Sequence, residues 1–229
     1  MQNAPYQLFD QLKDQIEPGS LFVEIGSDRG GGSTYYLQNL ARQTKNDFIT
    51  VDIDPVYLGS SIKSVKMAGE DWVQDQLPTI GSKVRLVFMD GFDWTTQPTA
   101  VRNGTASPDT YNLISDYEKK NLQLNNVNSA MAHMRQVIGL LPYMEDKCAI
   151  MFCDTWFNYT LDTFEGKGAG AVYMLLAEGY NVLSASYQLN YIMMGRGMNS
   201  PAGYPNLDMS KLNKIYSGPK KRPDEILYS

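Results

Sequence analysis

The chain has 229 residues, 43% of them hydrophobic and 20% charged, which suits one generous α/β domain with a real core and excludes disorder as its main state. Its formal charge of −5 argues against a protein that wraps nucleic acid electrostatically. One local exception is residues 211–229, where Lys211, Lys214, Lys220, Lys221 and Arg222 face only Asp224 and Glu225; with Pro219 and Pro223 this stretch reads as a solvated tail.

In chain order, residues 6–16 place Leu8, Phe9, Leu12 and Ile16 at helical spacing. A strand at 21–25 (LFVEI) precedes a glycine-rich loop and a helix at 34–42 with Ser33 as its N-cap. Strands follow at 48–52 (FITVD), 64–67 and 84–89 (VRLVFM), mostly continuous apolar runs as in strands covered on both sides. Residues 94–125 are long for a connection in a compact domain and hold Pro98, Gly104, Pro108 and a helix near 113–122, so they read as a cap over a site. A helix at 127–141 carries Val127, Met131, Met134, Ile138 and Leu141 as an apolar stripe, and Pro142 ends it. A strand at 149–153 (AIMFC), a helix at 168–178 and strands at 182–186 and 191–194 complete the chain, the last two forming an antiparallel pair at the sheet edge. No internal repeat interrupts this alternation, which predicts a Rossmann-like, doubly wound α/β fold. Its seven-stranded sheet is mostly parallel with an antiparallel last strand. The division is an N-terminal helix in 1–20, a domain at 21–198 with the cap inserted at 94–125, and a tail at 199–229.

Cys148 and Cys153 lie in one apolar run, read as a strand, so at roughly 3.3 Å per residue they are too far apart for a disulfide. Reduced thiols fit a cytoplasmic protein. The opening residues lack the basic-then-apolar layout of a signal peptide, and no run approaches the ~18 apolar residues of a membrane helix.

Ligands of open α/β sheets bind outside the carboxyl ends of the strands, and three strand ends here carry distinctive residues. In Glu24-Ile25-Gly26-Ser27-Asp28-Arg29-Gly30-Gly31-Gly32-Ser33-Thr34, the glycines let backbone approach a ligand. Glu24 suits a cationic ligand, such as a methionine ammonium beside a sulfonium, and would repel the pyrophosphate of a nicotinamide cofactor. Asp52, ending FITVD, can accept hydrogen bonds from both ribose hydroxyls of an adenosine, or alternatively cap a helix. Asp90, Gly91, Phe92 and Asp93 end the next strand, and Asp154 closes the fifth. Two such carboxylates could hold a divalent cation such as Mg²⁺ through hard oxygen ligands, or one could serve as general base on an acceptor hydroxyl. Glu70, Asp71 and Trp72 follow the third strand; Trp72 could stack on adenine with Glu70 or Asp71 accepting from its amino group, or Trp72 could be core.

This set, Glu24-x-Gly26-x-x-x-Gly30 with the Asp52, Asp90-Gly91 and Asp154-Thr155-Trp156 strand ends, resembles the class I S-adenosylmethionine-dependent methyltransferases, over residues 21–195. Five parallel strands with a terminal antiparallel pair is the layout of that family. Within it the chain is similar to the small-molecule O-methyltransferase branch, from which it departs at Phe92-Asp93, where that branch often has Asp-His, and at Thr155, where catechol-type members have Asn. The resemblance implies S-adenosylmethionine held by Glu24, Gly26, Ser27, Gly30, Ser33, Asp52, Glu70, Asp71, Trp72 and Asp90. It implies catalysis by Asp90, Asp93 or Asp154, with Asp90 and Asp154 as candidate Mg²⁺ ligands. The expected partner is a small-molecule acceptor, walled by Tyr111 and Trp156, with neither nucleic acid nor membrane; a homo-oligomer is left open. The alternative is a binding protein of the same fold with non-methylating chemistry or a non-catalytic partner role. His133, on the flank of the 127–141 stripe, reads as a surface or boundary residue, and the methionines as core filler.

Overall fold

A computed structural model describes residues 4–27, 32–55, 61–95 and 97–201. The strands are β1 (Leu21–Ile25), β2 (Asp47–Asp52), β3 (Lys63–Lys66), β4 (Val84–Met89), β5 (Met144–Cys153), β6 (Thr155–Asn158), β7 (Thr163–Gly166), β8 (Asn181–Ser186) and β9 (Tyr191–Arg196). The helices are α1 (Gly32–Gln43), α2 (Gly69–Asp75), α3 (Leu77–Ile80), α4 (Pro98–Arg102), α5 (Pro108–Glu118), α6 (Asn126–Leu140) and α7 (Ala169–Ala177), preceded by a 3-10 helix at Pro5–Gln15.

Seven strands form one Rossmann-like sheet in the order β3-β2-β1-β4-β5-β9-β8. Neighbours from β3 to β5 pair in parallel, and β9 is antiparallel to both β5 and β8, so six strands run one way and the last runs against them. The final antiparallel pair forms this edge of the sheet as expected, with β8 bordering it and β9 on the inner side. The sequence explains this: Tyr191 to Gly195 are all buried, as an interior strand requires. Both cysteines lie in β5 and are free thiols.

Helices α2, α6 and α7 cover one face of the sheet, where Val73, Val137, Leu140, Val172 and Leu175 join the inner faces of the strands in one core. The N-terminal 3-10 helix and α1 cover the other, through Leu8, Phe9, Leu12, Leu37 and Leu40. Among the described residues no helix is long and apolar enough to cross a membrane.

Two features depart from the sequence reading. A β6–β7 hairpin follows β5 directly, in a segment the sequence left unassigned. Helix α6 is also turned the other way: it buries Ser129, Ala132, His133, Gln136, Val137 and Leu140, while Val127, Met131 and Ile138 face outward. The inward polar groups find partners there. Ser129 Oγ donates to the Phe92 carbonyl, the His133 ring meets the Ser129 carbonyl at 2.8 Å, and Gln136 Nε2 donates to Glu70. His133 is therefore core rather than boundary. The predicted tail beyond residue 201 lies outside the described residues.

Candidate active site

The register of the central strands brings three tips level. Ile25 pairs with Val51 on one side and Met89 on the other, and the ladders continue through Gly26 N–H to the Val51 carbonyl and Asp90 N–H to the Ile25 carbonyl, both 2.8 Å. Gly26 has φ +90°, and a Cβ there would lie 2.2 Å from the Gly91 nitrogen, so bare backbone is a condition of this junction. The tips floor a cleft of about 710 Å³, within the range of small-molecule sites. Its walls come from α5 (Leu113, Asp116, Tyr117), the start of α2, and Leu189 and Asn190 ahead of β9.

Gly26, Asp52, Glu70, Asp90, Asp93 and Asp154 all line this cleft. Asp52 is held in place: its Oδ2 accepts from the Ser27 backbone N–H (2.7 Å) and Ser27 Oγ (3.0 Å), and its Oδ1 accepts from the Asp54 N–H (2.8 Å). Ser27 is thus a buried anchor for Asp52 and does not line the cleft. Ser33 is buried in the first turn of α1, away from the lining, and Gly30 lies outside the described residues.

Glu24 is also not in the lining. It is fully buried, with Oε2 accepting from Thr34 Oγ1 and Thr50 Oγ1 at 2.7 Å each, and Oε1 lacks a hydrogen-bond partner. Burial pushes its carboxyl up to about 7, against the opposing pull of the hydroxyl hydrogen bonds. Trp72 does not face a ligand: it is buried in the core between sheet and helices. The phase of α2 decides this, turning Gly69, Trp72 and Val73 inward and Glu70 toward the cleft, and leaving Asp71 exposed and outside the lining. Tyr111 and Trp156 are likewise outside it; the apolar residues that line the cleft include Ile53, Phe92, Leu113, Leu122 and Leu189. At the Glu70 corner stands Gln136, which no motif singles out. It is buried, lines the cleft, and has an Oε1 with no partner while Nε2 donates to Glu70 Oε2 at 3.2 Å.

The principal residue missed in the sequence is Lys167. Its ammonium is buried (1% exposed side chain) and lies 2.8 Å from Asp90 Oδ1 and 3.1 Å from Asp154 Oδ2. Desolvation alone would lower its pKa, but the two carboxylates outweigh that and the net shift is upward, so the amine stays an ammonium. The β6–β7 hairpin brings it there. Gly166, at φ +94°, would put a Cβ 2.0 Å from the Asp154 carbonyl, and the Lys167 N–H then donates to that carbonyl at 3.0 Å. Asp154 itself adopts φ +46°, uncommon for a residue with a side chain and the kind of local strain found at sites.

The expectation that Asp90 and Asp154 ligate Mg²⁺ does not fit this arrangement, because the Lys167 ammonium occupies the space between them. Among the described residues no group of three or more metal-ligating side chains occurs. Nearby, burial first and then the Asp90 charge hold the Cys153 thiol well above its ordinary range. His133 is pushed down to about 3 by burial and by the charge of Lys167; it is neutral and does not line the cleft. Tyr117 O–H donates to Asp93 Oδ2 at 3.0 Å and accepts from the Asp93 N–H at 2.7 Å, tying α5 to the β4 tip. Seven carboxylates and one lysine, Lys120, line the cleft among the described residues, a surface that favours cations.

No family model matches the chain, and no curated protein matches it. Several solved structures do. An rRNA methylase of Streptococcus thermophilus overlaps 86% of this chain and 98% of its own, at 10% identity and a TM-score of 0.47. The methyltransferase MycE of the mycinamycin biosynthetic pathway, in complex with Mg and S-adenosylhomocysteine, overlaps 96% of this chain and 54% of its own, at 11% identity and a TM-score of 0.44. A 1,6-didemethyltoxoflavin-N1-methyltransferase of Burkholderia thailandensis, with bound 1,6-didemethyltoxoflavin and S-adenosylhomocysteine, overlaps 82% of this chain and 76% of its own, at 8% identity and a TM-score of 0.40. Overlaps at this level carry no weight for function, and the strand order described above stands by itself.

Proposed function

We propose that this chain is an S-adenosylmethionine-dependent methyltransferase acting on a hydroxyl of a small molecule. The observation that carries the reading is the conjunction at the strand tips: bare backbone at Gly26 and Gly91 between the carboxylates of Asp52 and Asp90, in a cleft dominated by negative charge. A nucleoside bearing a sulfonium and an ammonium is complementary to that surface.

The residues fit such a ligand part by part. Asp52, fixed by three donors, retains acceptor capacity for ribose hydroxyls. Ile53, Phe92 and Leu122 offer apolar surface to a base, and the Glu70–Gln136 pair stands ready for an exocyclic amino group. Gly26 and Asp90 receive the aminoacyl end. Glu24 acts from beneath, bonding Thr34 in the first turn of α1 and so holding the helix that the glycine loop enters.

S-adenosylmethionine supplies an electrophilic methyl group on a sulfonium. The chain's part would be to align an acceptor oxygen with that methyl group, S-adenosylhomocysteine being the leaving group, and to exclude water, which accounts for most of the rate in a reaction of this kind. The cap, residues 94–125, serves this through Leu113 and Tyr117 of α5. Asp154, whose side chain is 44% exposed, takes the acceptor's hydroxyl proton as general base. Lys167 touches no substrate; it is a positioning residue that fixes Asp154 and Asp90 relative to each other.

Calorimetry with S-adenosylhomocysteine tests the reading. Wild type should bind, and Asp52→Ala should weaken binding by about ten- to a hundredfold, the loss of one or two hydrogen bonds to a charged group. Absence of wild-type binding refutes it.

A further inference from the structure

The walls of the cleft are short of positive charge and of hydrogen-bond donors. Of its seven carboxylates, Asp54 pairs with Lys120 (3.1 Å) and Lys66 (3.8 Å), and Asp116 with Lys119 (2.7 Å). Asp90 and Asp154 share Lys167. Among the described residues Asp52, Glu70 and Asp93 pair with no cation. Donors run short independently of charge: Gln136, 2% exposed and in the lining, keeps an Oε1 without a partner. A ligand that satisfies such walls brings cations and donors of its own.

In the function proposed above, ribose and base meet Asp52 and Glu70 on the β2 and β3 side of the sheet. Asp93 stands elsewhere, beyond the β4 tip and tied to the cap. Phe92 turns the chain there, with φ +56° and a carbonyl that accepts from Ser129 Oγ at 3.1 Å. Tyr117 of α5 then fixes Asp93 twice, its hydroxyl accepting from the backbone N–H and donating to Oδ2. Burial, and then the Asp93 charge, push that hydroxyl up, so it keeps its proton and remains the donor. Oδ1 has no partner among the described residues. A carboxylate held on one oxygen and bare on the other is preorganised for an ammonium. An anion finds no such place, because Lys120, the one cation of the described lining, is engaged by Asp54. Half-buried Phe92, Leu113, Leu122 and Leu189 give the same cleft an apolar lining.

Resting on the function proposed above, we propose that the methyl acceptor is a cation: a largely apolar molecule bearing, besides its hydroxyl, an amine that binds as its ammonium to Asp93. Asp93 is then the residue that selects the acceptor, distinct from Asp154, which takes its proton.

Calorimetry on protein saturated with S-adenosylhomocysteine tests this with three phenols of similar size: tyramine, a cation; 4-ethylphenol, neutral; and 4-hydroxyphenylacetate, an anion. At low ionic strength tyramine should bind at least about tenfold tighter than 4-ethylphenol, and the anion more weakly than either. Asp93→Asn keeps the shape and an oxygen for Tyr117. It should bring tyramine down to the level of 4-ethylphenol and leave S-adenosylhomocysteine affinity within about twofold of wild type. Tyramine that fails to bind at millimolar concentration, binds no tighter than 4-ethylphenol, or keeps its advantage in Asp93→Asn overturns the proposal and leaves the methyltransferase reading standing. A tenfold or greater loss of S-adenosylhomocysteine affinity in Asp93→Asn also overturns it, since Asp93 would then serve the nucleoside's own ammonium. Wild type that does not bind S-adenosylhomocysteine overturns both.

Discussion

Replacing Glu24 by glutamine isolates the cost of burying this carboxyl, and the cost depends on pH in a defined direction. In the folded chain the group is fully buried and titrates near 7; unfolded, it returns to about 4.5. Below 4.5 it is protonated in both states and contributes no pH dependence. As pH rises through this interval the unfolded chain releases the proton while the folded chain keeps it, so stability is lost, and the loss is complete above 7. A separation from 4.5 to about 7 corresponds to roughly 3 kcal/mol. Glu24→Gln keeps the shape, the contacts to Thr34 and Thr50 and the neutral state at every pH, so it lacks this term. Urea unfolding of both proteins between about pH 4.5 and pH 8 should show wild type losing roughly 3 kcal/mol relative to the variant, whatever their difference at the acid end. A difference that stays constant across this interval would refute the account, because the carboxyl would then be ionised in the fold and paired with a charge the structure does not provide.

Three further outcomes are expected. Lys167→Met removes the ammonium shared by two carboxylates, but Asp90 and Asp154 keep 31% and 44% exposure and their hydration, so the cost by denaturant unfolding should be roughly 1–3 kcal/mol, below that of a fully buried pair. In the same variant both kcat and S-adenosylhomocysteine affinity should change, since the residue holds Asp154, the base, and Asp90, which receives the aminoacyl end of the nucleoside. Glu70→Leu should abolish preference for an adenine base over its 6-oxo analogue, measured as the affinity ratio of S-adenosylhomocysteine to S-inosylhomocysteine, from about tenfold to near unity, because the cleft-lining carboxylate is the acceptor lost. Dialysis against EDTA should leave turnover unchanged, given the ammonium between Asp90 and Asp154; recovery of lost activity on adding Mg²⁺ would contradict that placement.

The sheet was legible because its strands are continuous apolar runs of strand length, and a run such as VRLVFM has few other places to go. The carboxylates at the tips were legible for the same reason: once β1, β2, β4 and β5 are placed, Gly26, Asp52, Asp90 and Asp154 follow by counting. Helix faces were harder. Periodicity gives the spacing of a stripe and not the direction it points, and in α6 the inward-facing Ser129 and Gln136 find partners that lie far away in sequence, the Phe92 carbonyl and Glu70. The same ambiguity left Trp72 open between adenine and core, two residues of phase separating it from Glu70. Lys167 was invisible because its two partners are contributed by β4, 77 residues earlier, and by the start of a hairpin whose closure nothing in TWFNYTLDTFEG announced.

That hairpin connects several features that look separate in the sequence. A buried ammonium costs several kcal/mol of desolvation, offset only when its anions are close and held there. Here one anion is held by a β4 tip that Gly26 allows to sit against β1, and the other by an Asp154 backbone bent into the left-handed region. Gly166 lets the returning strand touch the Asp154 carbonyl, which fixes the Lys167 backbone directly over it. The cation is thereby built from the chain itself, present in every molecule and at every ion concentration. A mobile divalent ion would serve two carboxylates equally; a tethered one on a rigid hairpin also sets the distance between the floor of the cleft and the side chain that takes the acceptor's proton. On this view the two glycines, the strained aspartate and the buried lysine are one device, and a substitution at any of them should misplace Asp154 before it unfolds the sheet.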